Sequence, residues 1–458
     1  MSKILRKTAS IFGGSALAGP GGIAQFGSTQ AGSPVYSLDP AIIVALPAWA
    51  NGWGAGAISQ FPVEEEWNGV DYYNSYQSAY LLQQGIAEWD SGTTYYTNSI
   101  CQYGGLVYQS LADGNLNKTP DSSPSYWKVI NGSAVKGENL FRNAGFAIAQ
   151  RGTSGTIAAG QSGYTLDGWI VGATGNSVLW GNSSSHVANV ALVLEPVIGT
   201  PTDCFIKQRI ESSVINPLSP NTYFTVQAAI WNNSGSSFTP KLTVNYPTSA
   251  DNYGAVTNYI NAENFQPCPS GQVTIVAYTF AMDFNLYKGM EVIFDFGNAV
   301  SSSDGIEFGQ ADISTTPFLQ TTGLQSNPPE PQIRPIGIEL PNCQRYFQSF
   351  GGSNTYERIG LGYAVDTTYA YITIPFKTKM RAIPEMAVSA ANDWLIGNQG
   401  PSGFFVASSF AVLSSYYDSG INTFPIDITT SANLVQFQPI ELTANNTLNA
   451  RLTFSAEL

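Results

Sequence analysis

Alternation of apolar and polar residues with a period of two dominates the chain beyond residue 138. Strand candidates at residues 187–194, 272–282 and 290–296 are separated by clusters of Gly, Asn and Pro. The last strand shows the pattern most clearly, with an apolar and a polar face: Leu452, Phe454, Ala456 and Leu458 against Arg451, Thr453, Ser455 and Glu457. Short alternating strands with such turns predict a mainly β fold with two β-sandwich, jelly-roll-like domains.

The chain has 458 residues, which is too many for one core, because domains usually hold about 100 to 200 residues. Shifts in composition predict five segments. These are a basic, Gly-rich arm at 1–37, a short helical region at 38–85, a small β module at 86–131, a β-sandwich at 139–320 and a C-terminal β domain at 342–458. A Pro-rich stretch at 327–335 predicts a semi-rigid spacer.

Two helices are expected before residue 86. Asp39 followed by Pro40 predicts the start of a short helix over 41–46, which Pro47 interrupts. A longer helix is predicted over 64–84, with three glutamates at its start and Gly85 at its end. Its aromatic residues recur at every fourth position and indicate a stripe packed on a neighbour, which in an oligomer could be the same helix of another subunit: Tyr72, Tyr76 and Tyr80.

The charge balance argues against nucleic-acid binding. Lys plus Arg number 19 and Asp plus Glu number 32, so the formal net charge is −13, which repels phosphate backbones. The charged fraction is only 11%, whereas soluble domains carry roughly 25%. Many Gly, Ser, Thr, Asn and Gln residues, together with surface hidden in subunit contacts, would keep such a protein in solution. This composition is typical of β-rich extracellular and virion proteins.

No metal site, cofactor or membrane insertion is predicted. The cysteines lie far apart without a CxxC pair and are expected to be free and buried: Cys101, Cys204, Cys268 and Cys343. No apolar run approaches the roughly 20 residues that a membrane span requires. The first 22 residues resemble a signal peptide, but five glycines dilute the apolar stretch too much for export to be expected.

Catalytic motifs are absent from the sequence. His186 is the only histidine, lies in a polar loop without a GxSxG elbow, and is expected to be solvated rather than a catalytic base. HExxH, GxxxxGK[ST] and GxGxxG between strand and helix do not occur. Glycoside hydrolysis remains an alternative, because a pair of carboxylates leaves no local signature; candidates are Glu64, Glu65, Glu66, Asp366 and Asp393.

Recognition of sugars is the remaining chemistry. Exposed aromatic rings stack on the apolar C–H faces of sugars, and four residues of the small module have that character: Trp89, Tyr95, Tyr108 and Trp127. In so small a module, the same four residues are also expected to form the core, and this second interpretation is the stronger one.

Residues 88–96, 105–108 and 124–127 resemble the small chitin-binding-type modules of secreted glycosidases and phage tail fibres, with Glu88-Trp89-Asp90-Ser91-Gly92-Thr93-Thr94-Tyr95-Tyr96 as the most specific stretch. In that family, exposed aromatic residues bind the sugar. The resemblance therefore implies a carbohydrate-binding role for the module.

The opening of the next segment is similar to a jelly-roll domain common in phage fibres. The motifs occur in order along the chain: Asn139 to Phe146, Ala149 to Gly152, Tyr164 to Trp169, Ile306 to Gly309, Thr316 to Phe318, Cys343 to Gln348 and Met380 to Pro384. With the small module, the resemblance covers residues 86–458. It implies a trimeric fibre or spike whose N-terminal part docks on the particle and whose C-terminal domains point outward.

We therefore expect a non-enzymatic virion subunit, assembled in the host bacterial cytoplasm, that attaches to the host surface. Its expected partners are itself as a homotrimer, the phage tail, portal or collar proteins through the arm, and host polysaccharide. Three alternatives stay open: a polysaccharide-degrading tail spike, a virion decoration or collar protein, and a secreted carbohydrate-binding protein.

Overall fold

The computed structural model describes residues 11–29, 31–52, 63–123, 125–130, 137–220, 222–301, 305–316, 321–398, 403–412, 420–431 and 434–458. The chain divides into two compact units, Met1–Gly132 and Ser133–Leu458. Antiparallel strands make up most of the regular structure, and helices are few. The predicted mainly β, multidomain fold with a small helical N-terminal region is confirmed.

The first unit begins with three helices: α1 Pro40–Ile43, α2 Ala48–Asn51 and α3 Glu64–Gln84. The Asp39 carboxylate accepts a hydrogen bond from the Ala41 amide at 2.9 Å, as an N-cap does. Helix α1 ends at Ile43, earlier than predicted, and α2 was not predicted. Since Pro47 disfavours helical geometry in the residue before it, one helix could not continue through this stretch.

Helix α3 has the predicted bounds, and Gly85 follows it with a φ of 74°. Only Tyr72 of the predicted aromatic stripe is buried, in a cluster with Ile23 and Ile43. Gly69 allows the helix to approach the preceding segment closely, because a Cβ there would lie 2.5 Å from the Ala24 carbonyl oxygen. The helix therefore packs on the N-terminal segment along one side.

The Gly-rich segment is not an isolated arm. Its described part, residues 11–29 and 31–37, packs on α1 and α3, with Ile23 fully buried. The Glu65 carboxylate accepts a hydrogen bond from the Gly21 amide at 2.8 Å, and the Glu66 carboxylate accepts one from the Thr29 amide at 3.1 Å. The expectation of an extended arm is thus wrong for these residues, because carboxylates at the start of α3 satisfy their backbone amides. Residues 1–10 lie outside the described part.

The small module is a three-stranded antiparallel sheet in the order β1-β2-β3: β1 Ile100–Tyr103, β2 Leu106–Ser110 and β3 Trp127–Val129. Gly104 and Gly105 form the β1–β2 turn, and both have positive φ angles. The module has its own small aromatic core.

The second unit opens with two facing sheets around one core. Their strands are β4 Ser154–Ile157, β5 Gln161–Tyr164, β6 Ile170–Thr174, β7 Val178–Ser183, β8 Ala191–Pro196, β9 Asp203–Ile210, β10 Tyr223–Asn232, β11 Lys241–Ser249, β12 Asn252–Asn264, β13 Gln272–Ala281, β14 Met290–Gly297, β15 Ile306–Thr315 and β16 Gly323–Leu324, with a short helix α4 at Ser212–Ile215. One sheet has the order β16-β13-β10-β15-β8-β7-β4, and the other β12-β11-β14-β9-β6-β5. Aromatic rings such as those of Trp169, Phe294 and Phe308 fill the space between the two sheets.

The strand predicted at residues 187–194 begins only at Ala191. The Ser185 hydroxyl oxygen accepts hydrogen bonds from the Val187 and Ala188 amides at 3.2 and 3.3 Å. Such local bonds compete with strand pairing and hold these residues in a loop. The strands predicted at 272–282 and 290–296 are present as β13 and β14.

The Pro-rich stretch is held against the sandwich rather than forming a free spacer. The Gln332 amide donates a hydrogen bond to the Asp312 carboxylate at 2.6 Å, and the Gln227 side chain donates one to the Pro329 carbonyl at 2.7 Å. The Arg334 guanidinium donates to the Phe141 carbonyl at 2.6 Å. Side chains distant in sequence supply these partners, so composition alone could not reveal them.

The C-terminal part contains a helix and nine strands: α5 Ile336–Gln344, β17 Phe347–Phe350, β18 Arg358–Ala364, β19 Tyr369–Pro375, β20 Glu385–Val388, β21 Trp394–Gly397, β22 Phe404–Val412, β23 Thr423–Thr430, β24 Pro439–Ala444 and β25 Leu452–Ser455. Six strands close into a barrel, β18-β19-β23-β22-β21-β24, and the others form a sheet, β17-β25-β20. A closed barrel is found where a second sandwich was predicted. Apolar and polar residues alternate along the strands of both architectures, so the pattern could not distinguish them.

The last residues of the chain join this C-terminal part to the sandwich. The Glu457 carboxylate forms ion pairs with Arg142 at 3.2 Å and with Arg151 at 3.1 Å, and all three side chains are largely buried. The two guanidinium groups stack on aromatic rings that follow α5: Arg142 on Tyr346 and Arg151 on Phe347, each 3.6 Å from the ring centroid. The Tyr164 hydroxyl donates a hydrogen bond to the Leu458 carbonyl at 2.9 Å.

We expect Glu457→Gln to lower the free energy of unfolding of the full-length protein by about 3 kcal/mol, because two buried guanidinium groups lose their shared carboxylate. Urea denaturation followed by circular dichroism measures this loss. The matched control is Glu441→Gln, which breaks an ion pair with Arg358, a side chain that is 60% exposed. Its cost should stay below about 1 kcal/mol. Equal effects of the two substitutions would contradict the stabilising role of Glu457.

Candidate functional site

The four sugar-binding candidates of the small module lie in or beside its core. Tyr95, Tyr108 and Trp127 are only 8%, 5% and 1% exposed, and Trp89 is half-buried against Tyr103. The Trp127 indole nitrogen donates a hydrogen bond to the Lys118 carbonyl at 2.7 Å. A ring that stacks on a sugar needs an exposed face, so this burial favours the core interpretation of these residues.

The outer face of the seven-stranded sheet carries an open groove of about 480 Å³ on β4, β7 and β8. Strand register places one row of residues straight across five strands: Ser154, Gly181, Val193, Glu307 and Trp231. A neighbouring row contributes Thr156, Leu179 and Glu195. Residues paired directly opposite one another point to the same side of a sheet, so both rows share this face.

Glu307 holds the loop before β8 on this face. Its carboxylate accepts a hydrogen bond from the His186 amide at 2.7 Å and lies 2.9 Å from His186 Nδ1. The imidazole stacks on the Trp231 indole, with ring centroids 4.0 Å apart and planes within 9°. His186 is exposed, as expected, but it is also positioned by two partners. His186 and Glu307 are 121 positions apart along the chain, so sequence reasoning could not predict this contact.

The groove has the groups that neutral sugars require. Glu195 can accept hydrogen bonds from sugar hydroxyls, and the hydroxyls of Ser154, Thr156 and Ser183 can both donate and accept. Leu179 and Val193 offer an apolar floor for C–H faces. Gly181 has no side chain to cover that floor, and no other atom lies within 4 Å of the position that a Cβ would take there. The Glu195 carboxylate makes the groove unsuitable for anions.

Most carboxylates considered for hydrolysis have local structural partners. Glu65 and Glu66 accept backbone hydrogen bonds from the N-terminal segment, and Asp366 accepts one from the Thr368 amide at 2.7 Å. Glu64 lies in the first turn of α3, and Asp393 precedes β21. Nothing in the described part of the chain brings these candidates together in the groove.

Asp203 and Asp295 form a carboxylate pair on the six-stranded sheet. Burial, followed by a hydrogen bond to Asp295 and the charge of Asp295, raises the pKa of Asp203 to about 6. Paired carboxylates of retaining glycosidases stand about 5 to 5.5 Å apart with a sugar between them. Two carboxyl groups in hydrogen-bonding contact leave no such space, so this pair does not match that arrangement.

The raised pKa of Asp203 predicts a pH-dependent stability. Because the folded protein favours the protonated form, stability from this group is present below its ordinary pKa and is lost as the pH rises through about 6. Asp203→Asn should therefore raise the free energy of unfolding by about 1 kcal/mol at pH 7.5, after allowance for solvent screening, and change little at pH 4. Thermal unfolding across this range measures the effect. An unchanged pH dependence in the variant would contradict it.

The four cysteines are free and buried, as predicted. Burial raises the pKa of the Cys101 and Cys268 thiols to about 11 and that of Cys204 to about 12. Protonated thiols are poor nucleophiles and poor metal ligands. Within the described ranges, no group of three or more His, Cys, Asp or Glu residues is arranged to hold a metal ion. No helix in those ranges has the length and hydrophobicity to span a membrane.

No protein-family model matches the chain, and no curated protein matches it by sequence. Solved structures with local similarity include the N-terminal modules of endo-1,4-β-D-xylanase 10B from Clostridium thermocellum, at 9% identity and a TM-score of 0.27, over 40% of this chain and 29% of that one. A xylan-binding domain from Paenibacillus barcinonensis matches at 11% identity and a TM-score of 0.25, over 39% and 96%. A cyclase from Fischerella sp. TAU matches at 14% and 0.23, over 40% and 97%. Sequence identities and TM-scores this low assign neither a family nor an activity to the chain.

Proposed function

We propose that the chain is a non-enzymatic attachment subunit of a tailed-bacteriophage fibre or spike, and that its sandwich binds a neutral segment of host surface polysaccharide. The groove on the seven-stranded sheet carries the binding part of this proposal. It combines a sugar-hydroxyl acceptor at Glu195 and the hydroxyls of Ser154 and Thr156 with an apolar floor that Gly181 leaves uncovered. The order of the phage-fibre-like motifs along the sequence supports the virion part.

Assembly as a homotrimer would place three copies of a weak binding site side by side. A shallow groove open to solvent binds a short oligosaccharide weakly, and three copies on one particle gain affinity through avidity. The first unit, with α3 and the segment packed on it, is the part that we propose docks on the phage tail, portal or collar. Its chemistry is consistent with a structural role, because the carboxylates of Glu65 and Glu66 are occupied by backbone amides.

A bulky side chain introduced into the groove tests whether sugars bind there. In Gly181→Tyr the new ring would lie across the floor, where nothing stands within 4 Å and where the backbone is outside the left-handed region. We expect wild-type protein to bind members of a panel of neutral bacterial surface oligosaccharides in calorimetry. The variant should bind them at least tenfold more weakly, because the ring occupies the space of the sugar.

Gly337→Tyr is the matched control, since Gly337 is an exposed residue of α5 where a Cβ also meets nothing within 4 Å. Binding by this control should equal that of the wild type. Oligosaccharide recovered after long incubation should keep its original length. Shortened products would support a polysaccharide-degrading enzyme instead, and equal binding by wild type and Gly181→Tyr would exclude the groove as the site.

A further inference from the structure

A second concave surface lies between the sandwich and the C-terminal sheet of the second unit. This cleft, of about 500 Å³, is lined by the loop 149–153 on one side and by residues of β17 and β25 on the other. Ser349 and Thr453 are paired directly across these strands, so both side chains point to the same side. Thr153 lines the cleft and Ser154 lines the sugar groove, so the two sites meet at consecutive residues.

Arg451 supplies the first positive charge of the cleft. Its guanidinium lies over Gly352, where a Cβ would stand only 2.3 Å from Arg451 Cζ, and donates a hydrogen bond to the Gly351 carbonyl at 3.2 Å. Both glycines have positive φ angles, which residues with side chains rarely adopt. In the part of the chain that the structure describes, no carboxylate pairs with Arg451. The turn therefore positions a cation whose charge is not neutralised.

Arg151 supplies the second guanidinium of the cleft. It is held rigidly, stacked on Phe347 with one nitrogen 3.1 Å from Glu457, while Nη1 lies 4.0 Å from Asp167. Because these carboxylates balance the charge of Arg151, Arg451 is the cation that an anion in the cleft would meet unpaired. The residues that line the cleft include no carboxylate, although the whole chain carries a net charge of −13.

We propose that this cleft binds an oxyanion carried by a sugar chain, either the carboxylate of a uronic acid or a sugar phosphate. Guanidinium groups and hydroxyls are preferred partners of such oxyanions. The adjacency of cleft and groove supports a sugar as the carrier, and in that respect the inference rests on the proposed function. A chain that crosses both sites would place a neutral residue near Glu195 and an acidic residue near Arg451.

The experiment measures binding of oligogalacturonate, a neutral galacto-oligosaccharide of equal length and inorganic phosphate to the full-length protein by calorimetry. Wild type should bind oligogalacturonate more tightly than the neutral compound, with an affinity that falls as salt is added. Arg451→Gln should weaken oligogalacturonate binding at least tenfold. Ser349→Ala removes a hydroxyl that lines the cleft from a different segment and should weaken binding as well, which keeps the test valid if Arg451→Gln unfolds.

Arg358→Gln is the control, because Arg358 lies on the barrel and does not line the cleft. It should bind like the wild type. Phosphate binding that disappears in Arg451→Gln would also support the site and assign recognition to the oxyanion itself. Failure of wild type to bind either anion, or equal binding by wild type and both cleft variants, would overturn the proposal. A result of that kind would not contradict sugar binding in the groove, because Gly181→Tyr tests the groove separately.

Discussion

The buried carboxylate of Glu457 is the contact on which the arrangement of the second unit depends. It lies between Arg142 and Arg151, and more than 300 residues separate it from each of them along the chain. Stacking of the same two guanidinium groups on Tyr346 and Phe347 extends the contact to the segment after α5. Since Phe347 and Arg151 both line the cleft, the geometry of that cleft follows from this ion cluster.

Two surfaces of opposite charge therefore adjoin at the edge of the sandwich. The groove presents Glu195, which suits the hydroxyls of a neutral sugar, whereas the cleft presents Arg451, which suits an oxyanion. A polysaccharide that alternates neutral and acidic residues fits both surfaces better than a uniform polymer does. Such a pairing would give selectivity, because the Glu195 carboxylate repels an anion that Arg451 attracts.

Local patterns predicted local structure well. The glutamates and Gly85 predicted the bounds of α3, and alternation predicted β13, β14 and β25. Alternation could not distinguish a barrel from a sandwich, and composition could not show that residues 11–29 pack on α3. The groove could not be predicted because its residues come from three separate strands. In the small module, exposed and buried aromatic residues look alike in sequence, and the structure buries Trp127.

The central claim is that attachment comes from several weak sites on one assembly, so the number of chains in that assembly is the most direct test. Light scattering on the full-length protein at micromolar concentration measures its native mass. We predict a mass of three chains, unchanged on tenfold dilution, because a fibre subunit that gains affinity through avidity needs a permanent oligomer. A monomeric mass at all concentrations would contradict the account and would favour a decoration protein or a secreted binding protein.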